Sequence, residues 1–392
     1  MINNNLDAIN NNIKYTILLC ITCFISNISQ IPAFFGNFEF KCLILTIWGF
    51  TFILAIFDHL IVFNKKIFFP IIMLILFSIF IMICELLEVG AYVTSVFLYP
   101  VLLSISIFLI GFFIAPKVNA RQLNYVMLFY TLAAIITSIF IYNHFSFFDF
   151  DWESRTYIYG SKNSISQIIL TAIIYLAIKC NFNNKLFILL KWSGILGWVI
   201  FLLMLKSRAT LISIPFIVLI ILLFSRIKMS IKVMVVFIAT TFIILLLVNQ
   251  DFYNLIITNV ILGASDASNL NVILSGRMDH LTQFMIMFPN NPFLGAGSFY
   301  LESFPLSVLL QFGILGAIPL FAIVLYPLWC ALCYFDKKKS SNIFFLCIVI
   351  IYLLNGVFEE QAPFGPGVKC YMMWLLFGIL LRWESIKKEN TG

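Results

Sequence analysis

The sequence predicts an all-α, polytopic integral membrane protein that forms one transmembrane domain over residues 1–392. The chain is 62% hydrophobic and only 10% charged, whereas soluble domains carry about 25% charged residues. Its mean hydropathy is +1.05. Apolar runs of roughly the length that crosses a bilayer recur along the whole chain, and polar segments separate them.

Twelve apolar runs are candidate membrane spans, and the last is short enough that the count could be eleven. They lie near residues 15–34, 42–63, 67–84, 91–115, 122–143, 164–178, 187–205, 209–225, 232–248, 304–335, 343–358 and 370–381. The run 304–335 is longer than a bilayer requires. We therefore expect it to be tilted, kinked or partly outside the membrane.

The distribution of charge predicts the orientation of the bundle. With the N-terminus in the cytoplasm, most lysine and arginine residues fall in cytoplasmic loops and most acidic residues fall outside. This is the bias that orients membrane proteins, and it places both termini in the cytoplasm. The net charge of +7 arises from short loops rather than from a basic stripe, so it does not indicate nucleic-acid binding.

Two polar loops then face the exterior, 144–163 and the larger loop 249–303, in which we expect short helices such as 278–288. Basic residues on this side run against the orientation rule, so they are candidates for binding an anionic, lipid-linked substrate. They are Lys41, Arg155, Lys162, Lys206, Arg208, Arg277 and Lys369. The alternative is that they only anchor the protein at lipid headgroups.

Glu302 is the only acidic residue between positions 280 and 335, and carboxylates at a membrane edge tend to be functional or paired. Alternatively, Glu302 and Ser303 cap the helix that follows them. His280 is a candidate base or a solvated loop residue. The histidines have no cysteine or acidic cluster beside them, and no phosphate-binding glycine loop is present, so we expect neither a metal nor a cofactor.

Five short segments between residues 150 and 320 carry a recognisable pattern. They read RTYIYGSKN (155–163), KSRATL (206–211), SGRMDH (275–280), PNNPFLGAGS (289–298) and LSVLLQFGILG (306–316). In order, spacing and predicted topology they resemble the bacterial O-antigen ligase and O-antigen polymerase superfamily. The resemblance implies a GT-C-like glycosyltransferase architecture with a large periplasmic loop.

One departure from the ligases separates the two branches of this superfamily. Many ligases have a histidine eleven residues before the glycine that corresponds to Gly313, and this sequence has Glu302 there. The segment ESFPL resembles the E-S-x-x-L pattern of the polymerases. The departure favours an O-antigen or capsular polysaccharide polymerase, and it puts in doubt the histidine-base mechanism of the ligases.

The resemblance implies an inverting glycosyltransferase at the periplasmic face of the bacterial inner membrane. The donor would be a chain on undecaprenyl pyrophosphate, and the acceptor a lipid-linked repeat unit whose hydroxyl attacks the anomeric carbon. Glu302 would be the base or a positioning group, while Arg208 and Arg277 would stabilise the departing pyrophosphate without a metal. Further substrate contacts would come from Arg155, Lys162, Asn163, Lys206, Ser303 and His280.

The implied partners are inner-membrane lipids and, from the same pathway, a flippase and a chain-length regulator. Three other functions remain open. An O-antigen ligase would share the donor and the arginines but transfer the polymer to lipid A–core. A lipid-linked oligosaccharide flippase or another transporter would place charges at mid-membrane, and a membrane acyltransferase would need a buried histidine.

Overall fold

Helices form nearly all of the structure that the computed structural model describes. It covers residues 2–62, 64–88, 94–145, 162–180, 183–224, 229–261, 277–336, 339–360, 362–365 and 370–389. Within these ranges the helices define an all-α, multi-pass membrane protein, as the composition predicts. Arg155 and most of the loop 144–163 lie outside the described residues.

Each of the twelve predicted apolar runs coincides with a helix. The helices are α1 (Ile2–Ile28), α2 (Phe38–Phe57), α3 (Lys65–Leu86), α4 (Thr94–Ile114), α5 (Ala120–His144), α6 (Lys162–Ile178), α7 (Lys185–Met204), α8 (Arg208–Phe224), α9 (Met229–Val248), α10 (Gln250–Tyr253), α11 (Arg277–Met287), α12 (Phe304–Trp329), α13 (Ser340–Phe358) and α14 (Tyr371–Glu389). The predicted loop helix at 278–288 is present as α11. Short π-helical segments at Asn254–Ile261 and Cys330–Tyr334 extend α10 and α12.

Seven helical segments in the described ranges are long and apolar enough to cross a membrane. They are Phe38–Phe57, Lys65–Leu86, Phe97–Lys117, Ala120–His144, Lys185–Met204, Phe304–Tyr334 and Ser340–Phe358. An eighth arises if Lys232–Val248 and Gln250–Val260, which meet at 105°, form one bent span. Three apolar helices are shorter, namely Ile13–Ile28, α6 and α8. The count of twelve spans and the GT-C-like architecture therefore stay predictions.

The centre of the bundle is the contact between α4 and α14. Residues 371–381 of α14 are all buried, and α4 packs along them more extensively than any other helix. Gly111 and Gly378 allow this approach, because a Cβ atom on either residue would collide with the backbone of the opposite helix. Small residues at a helix crossing in a membrane let two backbones come close enough for extensive van der Waals contact.

Helix α12 is interrupted at Gly313, which explains why its apolar run exceeds the length of one span. Gly313 has φ 59° and ψ −171°, a conformation that is essentially restricted to glycine. The break leaves the carbonyl groups of Leu310 and Gln311 and the amides of Ile314 and Leu315 without the partners that a continuous helix would give them. In a membrane, such groups require other partners.

The loop segment 292–297 supplies all four missing partners. The amides of Ala296 and Gly297 donate to the Leu310 and Gln311 carbonyls at 2.7 and 3.2 Å. The Ile314 and Leu315 amides donate to the carbonyls of Pro292 and Phe293 at 2.8 and 3.2 Å. Two motifs of the sequence, PNNPFLGAGS and LSVLLQFGILG, thus form one structural unit in which a loop closes a broken helix.

Candidate functional site

Several helix ends meet at one end of the bundle and carry most of the predicted site residues. Helices α6, α8, α11 and α12 begin there, and α13 ends there. Contacts of α13 with α6, α8 and α12 hold these ends together, and α11 packs on α12. The polar residues that precede or open each helix are therefore brought to one place, although they are distant in sequence.

Glu302 and Arg277 form an ion pair that joins the starts of α11 and α12. The Arg277 Nη2 atom lies 3.3 Å from Glu302 Oε2, and the two side chains are 25% and 35% exposed. The same Nη2 atom donates to the carbonyl of Phe358 at 3.2 Å, and the guanidinium lies 5.5 Å from the centre of the Phe358 ring. The guanidinium is thus fixed by its surroundings while remaining accessible from outside.

The tight turn between α7 and α8 fixes Arg208 at the start of α8. Lys206 adopts the left-handed conformation with φ 49° and is 5% exposed. The buried Ser207 hydroxyl donates to Asn163 Oδ1 at 2.8 Å and lies 3.0 Å from Thr210 Oγ1. Asn163 therefore ties the start of α6 to this turn, which makes it a positioning residue as well as the predicted substrate contact.

The pKa of Lys162 indicates that the predicted cationic residues lie close enough to influence one another. Its pKa is lowered from the ordinary lysine value to about 7, chiefly by burial. The positive charges of Arg208 and Arg277 lower this pKa as well. The Glu302 carboxylate raises it, and Lys206 again lowers it. The structure thus gathers four cations and one carboxylate from separate segments into one site, where close like charges favour the neutral form of the lysine.

A buried carboxylate beneath this site was not predicted from the sequence. Glu360 is 8% exposed and accepts hydrogen bonds from Ser307 Oγ at 2.6 Å and Gln311 Nε2 at 2.8 Å. Gln311 Nε2 also donates to the Phe299 carbonyl at 2.6 Å. Burial raises the pKa of Glu360, and the two hydrogen bonds oppose this shift. The only sequence signal was the pair of polar residues Ser307 and Gln311, spaced by one helical turn in an apolar run.

Glu360 therefore holds the chain on both sides of Glu302. Gln311 connects it to Phe299, three residues before Glu302, and Ser307 lies in the helix that begins just after Glu302. The two bonds to Glu360 are buried, so loss of this acceptor would remove one bond of Gln311 and leave the buried Ser307 hydroxyl without its acceptor. Glu360 is a positioning residue for the exposed carboxylate above it.

The structure also describes the surroundings of two other predicted residues, Ser303 and His280. Ser303 stands at the N-cap position of α12, yet its side chain makes no capping hydrogen bond, so the capping interpretation is wrong for Ser303. Glu302 instead pairs with Arg277. His280 lies half-buried one turn after Arg277 on α11, with its ring 6.2 Å from that of Tyr300.

Metal ligands are absent from this arrangement as far as the described residues extend. No group of three histidine, cysteine or acidic side chains is close enough to hold a metal ion there. The site is instead a cluster of cationic residues with one accessible carboxylate. It can bind an anion with several oxygen atoms and place a proton acceptor beside it.

No protein-family model matches this chain. No curated protein matches it in sequence either. The class that these observations define is a multi-pass helical membrane protein with a cationic site at one end of its bundle.

Proposed function

We propose that the chain is an O-antigen or capsular polysaccharide polymerase of the bacterial inner membrane. In this reaction the hydroxyl of a lipid-linked repeat unit attacks the anomeric carbon of a chain carried on undecaprenyl pyrophosphate. A glycosidic bond forms with inversion, the bond to the pyrophosphate oxygen breaks, and undecaprenyl pyrophosphate leaves. The active site faces the periplasm, and both termini of the bundle are cytoplasmic.

The observation that carries the proposal is the clustering of Lys162, Lys206, Arg208 and Arg277 around Glu302. A diphosphate leaving group develops negative charge as its bond to the sugar breaks. Fixed cations aimed at that charge are typically worth several kcal/mol of barrier, about 3–4 for a single well-placed donor. Guanidinium groups suit this task because they present two parallel donors to phosphate oxygens.

The ion pair between Arg277 and Glu302 gives the site a way to couple substrate binding to catalysis. A diphosphate that binds Arg277 competes with Glu302 for the same guanidinium. The carboxylate is then released toward the acceptor, where it accepts the proton of the attacking hydroxyl or orients that hydroxyl. Glu360 holds the flanking chain during this exchange, because its bonds to Gln311 and Ser307 do not involve Arg277.

Lys162 gains positive charge when the substrate binds. Its pKa of about 7 leaves a large neutral fraction in the empty site. A bound diphosphate favours the ammonium form, so the lysine takes up a proton as the anion binds. The empty site thereby carries less self-repulsion than a cluster of four permanent cations would.

The alternative function is an O-antigen ligase, which would use the same donor and cations. Glu302 stands where the ligases have a histidine, which favours the polymerase. His280, on α11, contacts the ring of Tyr300. A flippase or transporter is less well supported, because the site charges lie at helix ends rather than in mid-span.

The testing experiment is a surface-polysaccharide gel of a strain that lacks the gene and is complemented with variants. A polymerase defect gives core with a single repeat unit, because ligation continues while chains no longer grow. Glu302→Gln should reproduce that pattern, and Glu39→Gln, an exposed acid at the start of α2, should restore full ladders. Loss of all substituted core, with polymer accumulating on the lipid carrier, would identify a ligase instead.

A further inference from the structure

A second site lies at the opposite end of α12 from Glu302. A cleft of about 560 Å³ runs between the first turn of α3 and the last turns of α12. Its walls are mainly apolar and aromatic and include Phe69, Leu325 and Trp329. Helix α12 begins just after Glu302, and its last turns line the cleft, so the two sites lie at opposite ends of this helix.

The cleft is open toward the lipid rather than toward the bundle. Leu325 and Trp329 are 49% and 56% exposed, and Phe69 is 37% exposed. Exposed apolar side chains on a membrane-spanning helix face hydrocarbon, so an occupant can enter sideways from the bilayer. A volume of this size lies within the range of ligand sites that bury most of a small molecule, and an apolar lining suits an acyl chain.

Positive charge is concentrated at the mouth of the cleft. The Lys66 ammonium lies 3.2 Å from the centre of the Tyr334 ring, and the Lys388 ammonium lies 3.7 Å from the centre of the same ring. Lys65 lines the cleft beside them. Two ammonium groups on one ring repel each other, and the ring itself compensates them only in part.

The nearby carboxylates are engaged with other cations. Glu384 pairs with Lys339. Glu389 lies 3.7 Å from Arg382 and accepts a hydrogen bond from Asn64 at 3.3 Å. Basic residues outnumber the two acids at this end of the bundle, because Lys65, Lys66 and Lys388 lie there in addition to Lys339 and Arg382.

We propose that an anionic phospholipid binds in this cleft. Its phosphate lies against Lys66 and Lys388, and one acyl chain fills the apolar space beside Leu325 and Trp329. The combination of a lysine cluster with a laterally open apolar cleft matches both halves of such a lipid, whereas a free phosphate would use only the lysines. The inference does not depend on the proposed enzyme activity.

Titration of the full-length chain in detergent with phosphatidylglycerol, followed by native mass spectrometry, tests the site. The apparent Kd of the first bound phosphatidylglycerol should be weakened about fivefold by Lys66→Gln and further by the double change with Lys388→Gln, since a lysine near an anionic lipid contributes about a factor of five. Lys185→Gln, at the exposed start of α7, removes the same charge elsewhere and should leave the Kd unchanged.

Ala322→Trp fills the cleft while all lysines remain and should also weaken phosphatidylglycerol binding. Ala322 lines the cleft, and the added ring occupies space within it rather than within the packed bundle, so circular dichroism and gel filtration should match the wild type. Equal affinity for phosphatidylcholine, or an unchanged Kd in the Lys66 and Lys388 variants, would overturn the proposal. Full displacement by glycerol 3-phosphate would also overturn it, because only the headgroup would then be recognised.

Discussion

Gly295 and Gly313 lie backbone to backbone, and each fills the space that a side chain on the other would need. A Cβ atom on Gly295 would lie 2.5 Å from the amide nitrogen of Gly313, and one on Gly313 would lie 2.6 Å from that of Gly295. Both residues have positive φ, 82° and 59°. The contact anchors the loop before Glu302 onto the helix that follows it.

Gly313→Ala should therefore disrupt the unit formed by the loop and α12. The substitution places a side chain in a glycine-only conformation, which costs about 1–3 kcal/mol, and it also pushes the loop away. We expect a lower melting temperature in detergent and a loss of polymer. Gly194→Ala in α7 is the matched control, because a Cβ atom there meets nothing within 4 Å; similar melting curves for both variants would contradict the expectation.

Arg208→Ala should abolish polymer formation while the protein remains in the membrane. Arg208 is one of the cations that act on Lys162, and loss of one donor to developing charge lowers a rate by about 100-fold or more. The measurement is the ladder on a surface-polysaccharide gel, with membrane abundance determined by immunoblot. Arg121→Ala, at the exposed start of α5, should retain the full ladder; a normal ladder from Arg208→Ala would refute the leaving-group role.

Lys162 should react with acylating reagents at a pH where ordinary lysines are largely protected. With its pKa near 7, its reactivity should reach a plateau above about pH 8, whereas a free lysine side chain gains reactivity up to about pH 10.4. Peptide mapping after brief labelling gives the profile. In Arg277→Met the plateau should shift to higher pH because one repelling charge is gone, and an unshifted profile would argue against the charge cluster.

Glu360→Ala should destabilise the protein by about 1–3 kcal/mol, because Ser307 and Gln311 would lose a buried acceptor. Glu360→Gln keeps an acceptor oxygen and should be milder. The effect of Glu360 on stability should depend on pH, because burial raises the pKa of Glu360 in the folded state. Its contribution to the free energy of unfolding is fully present below the ordinary glutamate pKa. The contribution is lost as the pH rises through the raised pKa.

The amide in Glu360→Gln does not titrate. The melting temperature of this variant should therefore rise relative to that of the wild type as the pH increases from about 4 toward neutrality. A constant difference between the two proteins across that range would show that the carboxyl has the same pKa in both states. Polymer length on the gel separates positioning from folding, since a positioning role reduces activity in Glu360→Gln at temperatures where the protein is fully folded.

Single-cysteine labelling should place the loop before α12 outside the cell. Asn290→Cys is exposed and lies in the loop segment that leads to Glu302, so a membrane-impermeant maleimide should reach it in intact cells. Lys185→Cys at the start of α7 should react only after the membrane is opened. The background must lack the exposed native residues Cys42 and Cys333, and the reverse labelling pattern would invert the orientation.

Hydropathy located the helices because burial in lipid imposes the same apolar composition on every membrane-spanning segment. The site residues Arg208, Arg277 and Glu302 could be predicted from the sequence for a related reason. Charged residues are rare in such a chain, so a charge at an unexpected place is informative. Lys162 and Asn163 were predicted from their place in the motif RTYIYGSKN (155–163).

The Glu360 network and the break at Gly313 could not be predicted from the sequence in the same way. Glu360 contacts Ser307 and Gln311 across some fifty positions of sequence, and nothing local indicates which helix end will face another. The break depends on hydrogen bonds with residues 292–297, so its geometry is a property of two segments together. Hydropathy alone showed only an apolar run that was too long.

The burial of α14 against α4 sets the order in which this protein can be completed during synthesis. Helix α4 enters the membrane early, yet its main partner is made only after α5 to α13 have followed. Until α14 has been made, the surface of α4 around Gly111 lacks its partner helix. We therefore expect the packing of α4 to stay incomplete until α14 has been made and has entered the membrane.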